Sequence, residues 1–108
     1  MQTSPRLQQL QQFHSEKPGD PFLLFALAKE HEKLGNLDTA LDFYQKIISE
    51  SPDYVGAYYH LGKLLEKNND QEKAVKTYSA GMAIAQKIGD RHALSELAAA
   101  KLEIDDED

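Results

Sequence analysis

PFLLFALAKEHEKLGNLDTALDFYQKIISESPDY (residues 21–54) and VGAYYHLGKLLEKNNDQEKAVKTYSAGMAIAQKI (residues 55–88) are one pattern written twice. At an offset of 34 residues Leu24 meets Tyr58, Leu27 meets Leu61, Ala28 meets Gly62, Ala40 meets Ala74 and Tyr44 meets Tyr78. Small residues fall on small ones and large apolar residues on large ones, as two copies of one packing unit require. In AYYHLGKLL (57–65), Tyr58, Leu61, Gly62 and Leu65 recur at i, i+3, i+4 and i+7, the period of one helix face, and leave Tyr59 and Lys63 on another. No segment alternates over strand length. Self-similarity at this fixed period predicts a helix-turn-helix repeat array.

The frame extends outward from the two copies. Pro18 lies 34 residues before Pro52 and Leu10 lies 34 before Tyr44, so residues 5–17 read as the second helix of a degenerate preceding repeat. Leu94, Leu97 and Ala98 reproduce Leu24, Leu27 and Ala28 at an offset of 70, which makes the second repeat 36 residues long. Gln86 stands where Pro52 has its counterpart, so the closing helix is expected to run on to about Lys87, with Gly89 ending it and Asp90 capping the next.

Local chemistry supports the same division. Ser4-Pro5 and Asp20-Pro21 are N-cap and first-turn pairs, Asn36 and Asp70 are placed to cap the helices after them, and Gly35 and Asn69 sit where a left-handed residue is wanted. The predicted helices are 5–16, 21–34, 37–50, 54–67, 71–88 and 91–103. They form a single domain over 1–102: a capping half-repeat (5–17), two repeats (21–54 and 55–90) and a C-terminal capping helix (91–103), followed by an acidic tail (104–108). A lone helical hairpin cannot bury its apolar face, so the terminal helices are needed to complete the stack.

The spacing resembles the tetratricopeptide repeat family, whose pattern is an aromatic or large apolar residue, Leu three later, a small residue next, then Ala, an aromatic, a small residue and Pro. The first repeat holds Leu24, Leu27, Ala28, Ala40, Tyr44, Ile47 and Pro52 at those places, and the second holds Tyr58, Leu61, Gly62, Ala74, Tyr78 and Gly81. It departs in Leu24 for the usual Trp or Tyr, in Ile47 at a small place and in the missing second proline.

The resemblance implies an all-α fold of antiparallel helix-turn-helix repeats stacked as a short right-handed superhelical solenoid. It also implies a non-catalytic protein–protein interaction scaffold that holds a peptide or helix of its partner in a concave groove. Carried over residue by residue, the groove positions are Phe22, Phe25, Lys29, Glu32 and Lys33, then Gly56, Tyr59, Lys63, Glu66 and Lys67. Phe22, Phe25, Lys29, Lys33, Tyr59, Lys63 and Lys67 are the candidate peptide-binding residues. Aromatic and cationic anchors suit a protein or peptide partner bearing an acidic group or a C-terminal carboxylate. Against this stands the reading that the lysines are solvated and the aromatics belong to packing. The chaperone-tail clamp of some relatives needs asparagines where Lys29 and Lys63 stand and a lysine where Phe25 stands, which argues against that activity. The alternative function is a structural or assembly module that self-associates through its terminal helices, so the chain is expected to be a monomer or weak homodimer.

Composition narrows the remaining classes. With 108 residues the chain has room for one domain that buries a little under roughly 70% of its unfolded surface. No cysteine is present, which removes disulfides, thiolate metal sites and cysteine nucleophiles and fits a cytoplasmic location. Five of the 18 acids lie in the last six residues, leaving 13 acids against 12 bases in the body. A nearly neutral body argues against nucleic acid as partner, and no apolar run is long enough for a membrane. HEKLG (31–35) begins like a zinc-protease helix but has Gly35 where the second histidine belongs, and His31 falls on the packed stripe. Gly62-Lys63 lacks a glycine-rich loop before it, so no cofactor or phosphate site is expected. QQLQQ (8–12) is interrupted at the helical spacing Leu7, Leu10, Phe13 and reads as an amphipathic helix with an amide-rich face.

Overall fold

In the computed structural model, which describes residues 1–105, six α-helices and no strand are present among the described residues. They are α1 (Pro5–Glu16), α2 (Pro21–Lys33), α3 (Leu37–Glu50), α4 (Gly56–Lys67), α5 (Gln71–Ile88) and α6 (Arg91–Asp105). The chain divides into two compact units, the first ending at Ser51 and the second beginning at Pro52.

Caps explain most of the boundaries. The Ser4 hydroxyl accepts from Leu7 N at 3.0 Å, Asp20 from Phe22 N at 2.9 Å, Asp70 from Lys73 N at 3.3 Å and Asp90 from Ala93 N at 3.0 Å. Each satisfies an amide that has no partner within its own helix. The expected left-handed positions are found at Gly35 (φ 81°), Asn69 (φ 59°) and Gly89 (φ 76°). Without a proline to stop it, α5 runs to Ile88, and Gly89 closes it with its own amide bonded back into the last turn.

Three expectations are corrected. Asn36 makes no capping bond to α3. Its Nδ2 donates instead to the Gln2 carbonyl at 2.8 Å and lies 3.1 Å from His31 Nδ1, while its Oδ1 accepts from Gln2 N at 3.0 Å. α4 starts at Gly56 and not at 54, because Ala57 N and Tyr58 N bond back three residues, to Tyr54 O and Val55 O, in a tighter entry turn. α6 continues through Ile104 and Asp105, residues expected in the tail; positions 106–108 of that tail lie outside the described residues.

In the first unit α2 packs against both α1 and α3. Leu7, Leu10 and Leu27 form the centre of a core flanked by Ala26, Leu34 and Phe43, while Phe13 stays exposed at the edge of the amphipathic α1. His31 is 2% exposed and its ring stacks on Phe43 at 5.5 Å, so it is a core histidine. In the second unit α5 packs against α4 and α6, and α6 also meets α4. The helices of that unit approach closely where glycine permits it. A Cβ on Gly62 would lie 2.6 Å from Tyr78 Cζ, and one on Gly81 would lie 2.6 Å from Tyr58 Cβ. α6 buries Leu97 and Ala100 and leaves Leu102 exposed.

Candidate peptide-binding faces

In the first unit the candidates lie along α2. Its start is set by the Asp20 cap and Pro21, and this leaves Phe22, the second residue of the helix, 67% exposed. One turn on, Phe25 is half-buried and meets the ring of Tyr44 on α3 edge-on, with centroids 6.0 Å apart. Tyr44 is fully buried at its ring, and its hydroxyl donates to Glu32 Oε2 at 2.8 Å. The tyrosine therefore ties α3 to α2 and supports Phe25 from behind. Lys29 and Lys33 follow on α2 at one-turn intervals and are exposed.

The second unit repeats this arrangement on α4. Tyr59 takes the place of Phe25 and meets the buried Tyr78 at 6.5 Å, and the Tyr78 hydroxyl donates to Glu66 Oε2. His60 stands edge-on to Tyr59 at 5.5 Å. Lys63 lies with its Nζ 5.6 Å from the centre of the Tyr59 ring, within cation–π range. The same ammonium is 3.8 Å from Glu66 Oε2 and 3.7 Å from Glu103 Oε2 of α6. Lys67, one turn further, is exposed.

The two buried tyrosines are hydrogen-bond donors to their glutamates. Burial, followed by the bond to Glu32, pushes the Tyr44 hydroxyl above its ordinary range. Burial and then Glu66 do the same to Tyr78, with Tyr59 and Glu103 adding to the effect. Among the described residues no group of three or more His, Asp or Glu is placed to hold a metal ion.

Phe25 is thus joined to Tyr44 and Glu32, and Tyr59 with Lys63 to Tyr78, Glu66 and Glu103. Phe22, Lys33 and Lys67 are exposed at the surface. The Tyr–Glu bridges were missed from sequence, although they leave a signal: a glutamate 12 residues before the tyrosine, in both copies. Glu103 left none, because the lengthened second repeat shifts α6 out of the 34-residue frame.

Comparison with known proteins supplies relatives. The sequence profile of the tetratricopeptide repeat matches residues 31–101. A tetratricopeptide repeat domain protein from Salinibacter ruber, solved by crystallography, is 43% identical, covering 82% of this chain and 99% of its own, with a TM-score of 0.78. A solution structure of a tetratricopeptide repeat domain protein from Salinibacter ruber gives 42% identity, 85% and 93% coverage and a TM-score of 0.82. A Bordetella parapertussis protein, also solved in solution, is 27% identical over 100% of this chain and 92% of its own, with a TM-score of 0.82. No curated protein matches the chain significantly.

Proposed function

This chain belongs to the tetratricopeptide repeat family, and on that premise we propose that it is a non-catalytic protein-interaction scaffold that holds an acidic peptide or helix of a protein partner. Proteins of the family generally mediate protein–protein contacts and are generally not enzymes. One observation carries the reading to particular residues: each repeat presents an aromatic ring braced by a part-buried Tyr–Glu bridge, with a lysine one turn along the same helix. A braced ring loses little freedom on binding, and a neighbouring ammonium selects a carboxylate over a neutral group. Phe25 with Lys29 in the first unit, and Tyr59 with Lys63 in the second, are the residues we assign to each unit's own contact, with Phe22, Lys33 and Lys67 extending these along their helices. No cofactor, metal or nucleic acid takes part in this reading. A cytoplasmic location is part of the proposal; no helix of the described residues is long and apolar enough to cross a membrane.

Fluorescence anisotropy with labelled acidic peptides, each prepared with a free and an amidated C-terminus, tests the proposal. The variant carrying Lys29→Ala and Lys63→Ala should bind more weakly while its circular dichroism stays unchanged. The parent's affinity should fall between about 50 and 500 mM salt, over which the screening length shortens several-fold. An affinity that ignores both salt and the two substitutions would remove the carboxylate from the reading.

A second reading, self-association through the terminal helices, is favoured by Leu102, an exposed apolar residue on α6. Light scattering across a concentration series distinguishes the two: a mass that stays at one chain removes self-association.

A further inference from the structure

Lys63 already has a carboxylate beside it that comes from another helix. Its ammonium lies 3.7 Å from Glu103 Oε2, and the side chains are 34% and 70% exposed respectively, so the lysine is seated and the acid reaches in from the rim. The distance exceeds that of a direct N–H···O hydrogen bond, as does the 3.8 Å to Glu66. Glu66 Oε2, moreover, already accepts the Tyr78 hydroxyl. Lys63 therefore holds its charge over the Tyr59 ring and pairs only loosely with its acids.

The helix that supplies Glu103 is poorly suited to keep it there. Among the described residues the last turn of α6 carries Glu103 and Asp105 and no basic residue, with Lys101 just before it. Acids near the C-terminal end of a helix face the negative end of the backbone dipole, and Lys63 of α4 offsets one of them, Glu103. In sequence Glu103 also opens the run Glu-Ile-Asp-Asp-Glu-Asp that ends the chain.

We infer that Lys63 and Tyr59 form a carboxylate site on α4 whose resident ligand is the chain's own Glu103, and that an acidic partner binds by displacing the end of α6. The inference rests on the proposed function and adds a regulation to it: Glu103 competes with the partner's carboxylate for Lys63. The occupant that fits is an acidic peptide, because Glu103 shows a carboxylate reaching the Lys63 ammonium beside the Tyr59 ring.

The test uses the full chain and a fluorescein-labelled peptide of the sequence AKLEIDDED, that of residues 100–108, with a free C-terminus, at about 50 mM salt where screening is weak. Glu103→Gln should tighten binding about two- to fivefold, the size expected for removing one exposed ion pair that competes. Glu72→Gln, which removes an equal charge from an exposed site on α5, should change affinity less. Adding Lys63→Ala should abolish the gain. In the parent, peptide binding should speed amide exchange in the last turn of α6. If the parent binds in a Lys63-dependent way but Glu103→Gln is no tighter than Glu72→Gln, the internal ligand is refuted and the proposed function stands. If neither parent nor Glu103→Gln binds the peptide, both are refuted.

Discussion

The ring of Tyr78 lies so close to Gly62 that a Cβ at position 62 would sit 2.6 Å from Cζ and 2.7 Å from Cδ1 of that ring. α4 and α5 can approach in this way only because position 62 has no side chain.

Gly62→Ala should therefore destabilise the protein even though alanine favours helix by about 1 kcal/mol. Tyr78 is fully buried and tied through its hydroxyl to Glu66, so it has little room to yield. Overpacking of this kind costs roughly 1–3 kcal/mol, which exceeds the propensity gain at most of that range. Urea melts would show it as a lower midpoint. Gly56→Ala is the control, since a Cβ there meets nothing within 4 Å. Equal midpoints for Gly62→Ala and the parent would remove the close contact.

Tyr44→Phe and Tyr78→Phe should each cost about 1 kcal/mol, the loss of one hydrogen bond to a carboxylate that stays partly solvated. The same bonds give an alkaline signature. Both hydroxyls are held above the ordinary value of 10.0, so the folded state keeps protons that the unfolded state releases. Their stabilisation is complete below about pH 10 and is lost as pH rises beyond it. Absorbance of phenolate during alkaline titration should rise in step with loss of helix by circular dichroism. Full ionisation of all tyrosines with helicity intact would contradict the assignment.

His31 works in the opposite direction. Burial lowers its affinity for a proton below the ordinary 6.5, and Glu30 opposes this only in part. Glu30 is itself occupied, accepting from the Ser4 hydroxyl at 2.8 Å and lying 3.8 Å from Arg6. A histidine held neutral contributes stability fully present above pH 6.5 and lost as pH falls below it. His31→Leu, the residue that repeat 2 carries as Leu65, should flatten that acid-side loss in melting temperature between about pH 6.5 and 5. An unchanged slope would mean that His31 does not contribute to it.

Asn36→Asp separates capping from tethering. Aspartate is as good an N-cap as asparagine, but it lacks the Nδ2 donor that reaches the Gln2 carbonyl and His31 Nδ1. The substitution should destabilise the first unit by about 1 kcal/mol, one net hydrogen bond. Amide exchange at Gln2 should quicken at the same time. A variant as stable as the parent would restore the simple capping role.

The all-α repeat architecture was legible in the residues themselves. Apolar period, proline and glycine placement and the 34-residue echo are local, and each acts through the backbone of its own helix; five of the six helix starts follow from them. The helical spacing also sorted Tyr58, Leu61, Gly62 and Leu65 into the core and Tyr59 and Lys63 out of it, as the burial confirms. Asn36 was misread because a side chain at a cap position chooses among all donors and acceptors in reach, and Gln2 lies 34 residues away in sequence. The Tyr44–Glu32 and Tyr78–Glu66 bridges required two helices to be packed before their distances existed. Lys63 shows the same division most clearly. Its position on a solvent-facing stripe was set by the 3.6-residue period, whereas its pairing with Glu103 depends on how α6 folds back to α4, and that is decided by tertiary packing across 40 residues of chain.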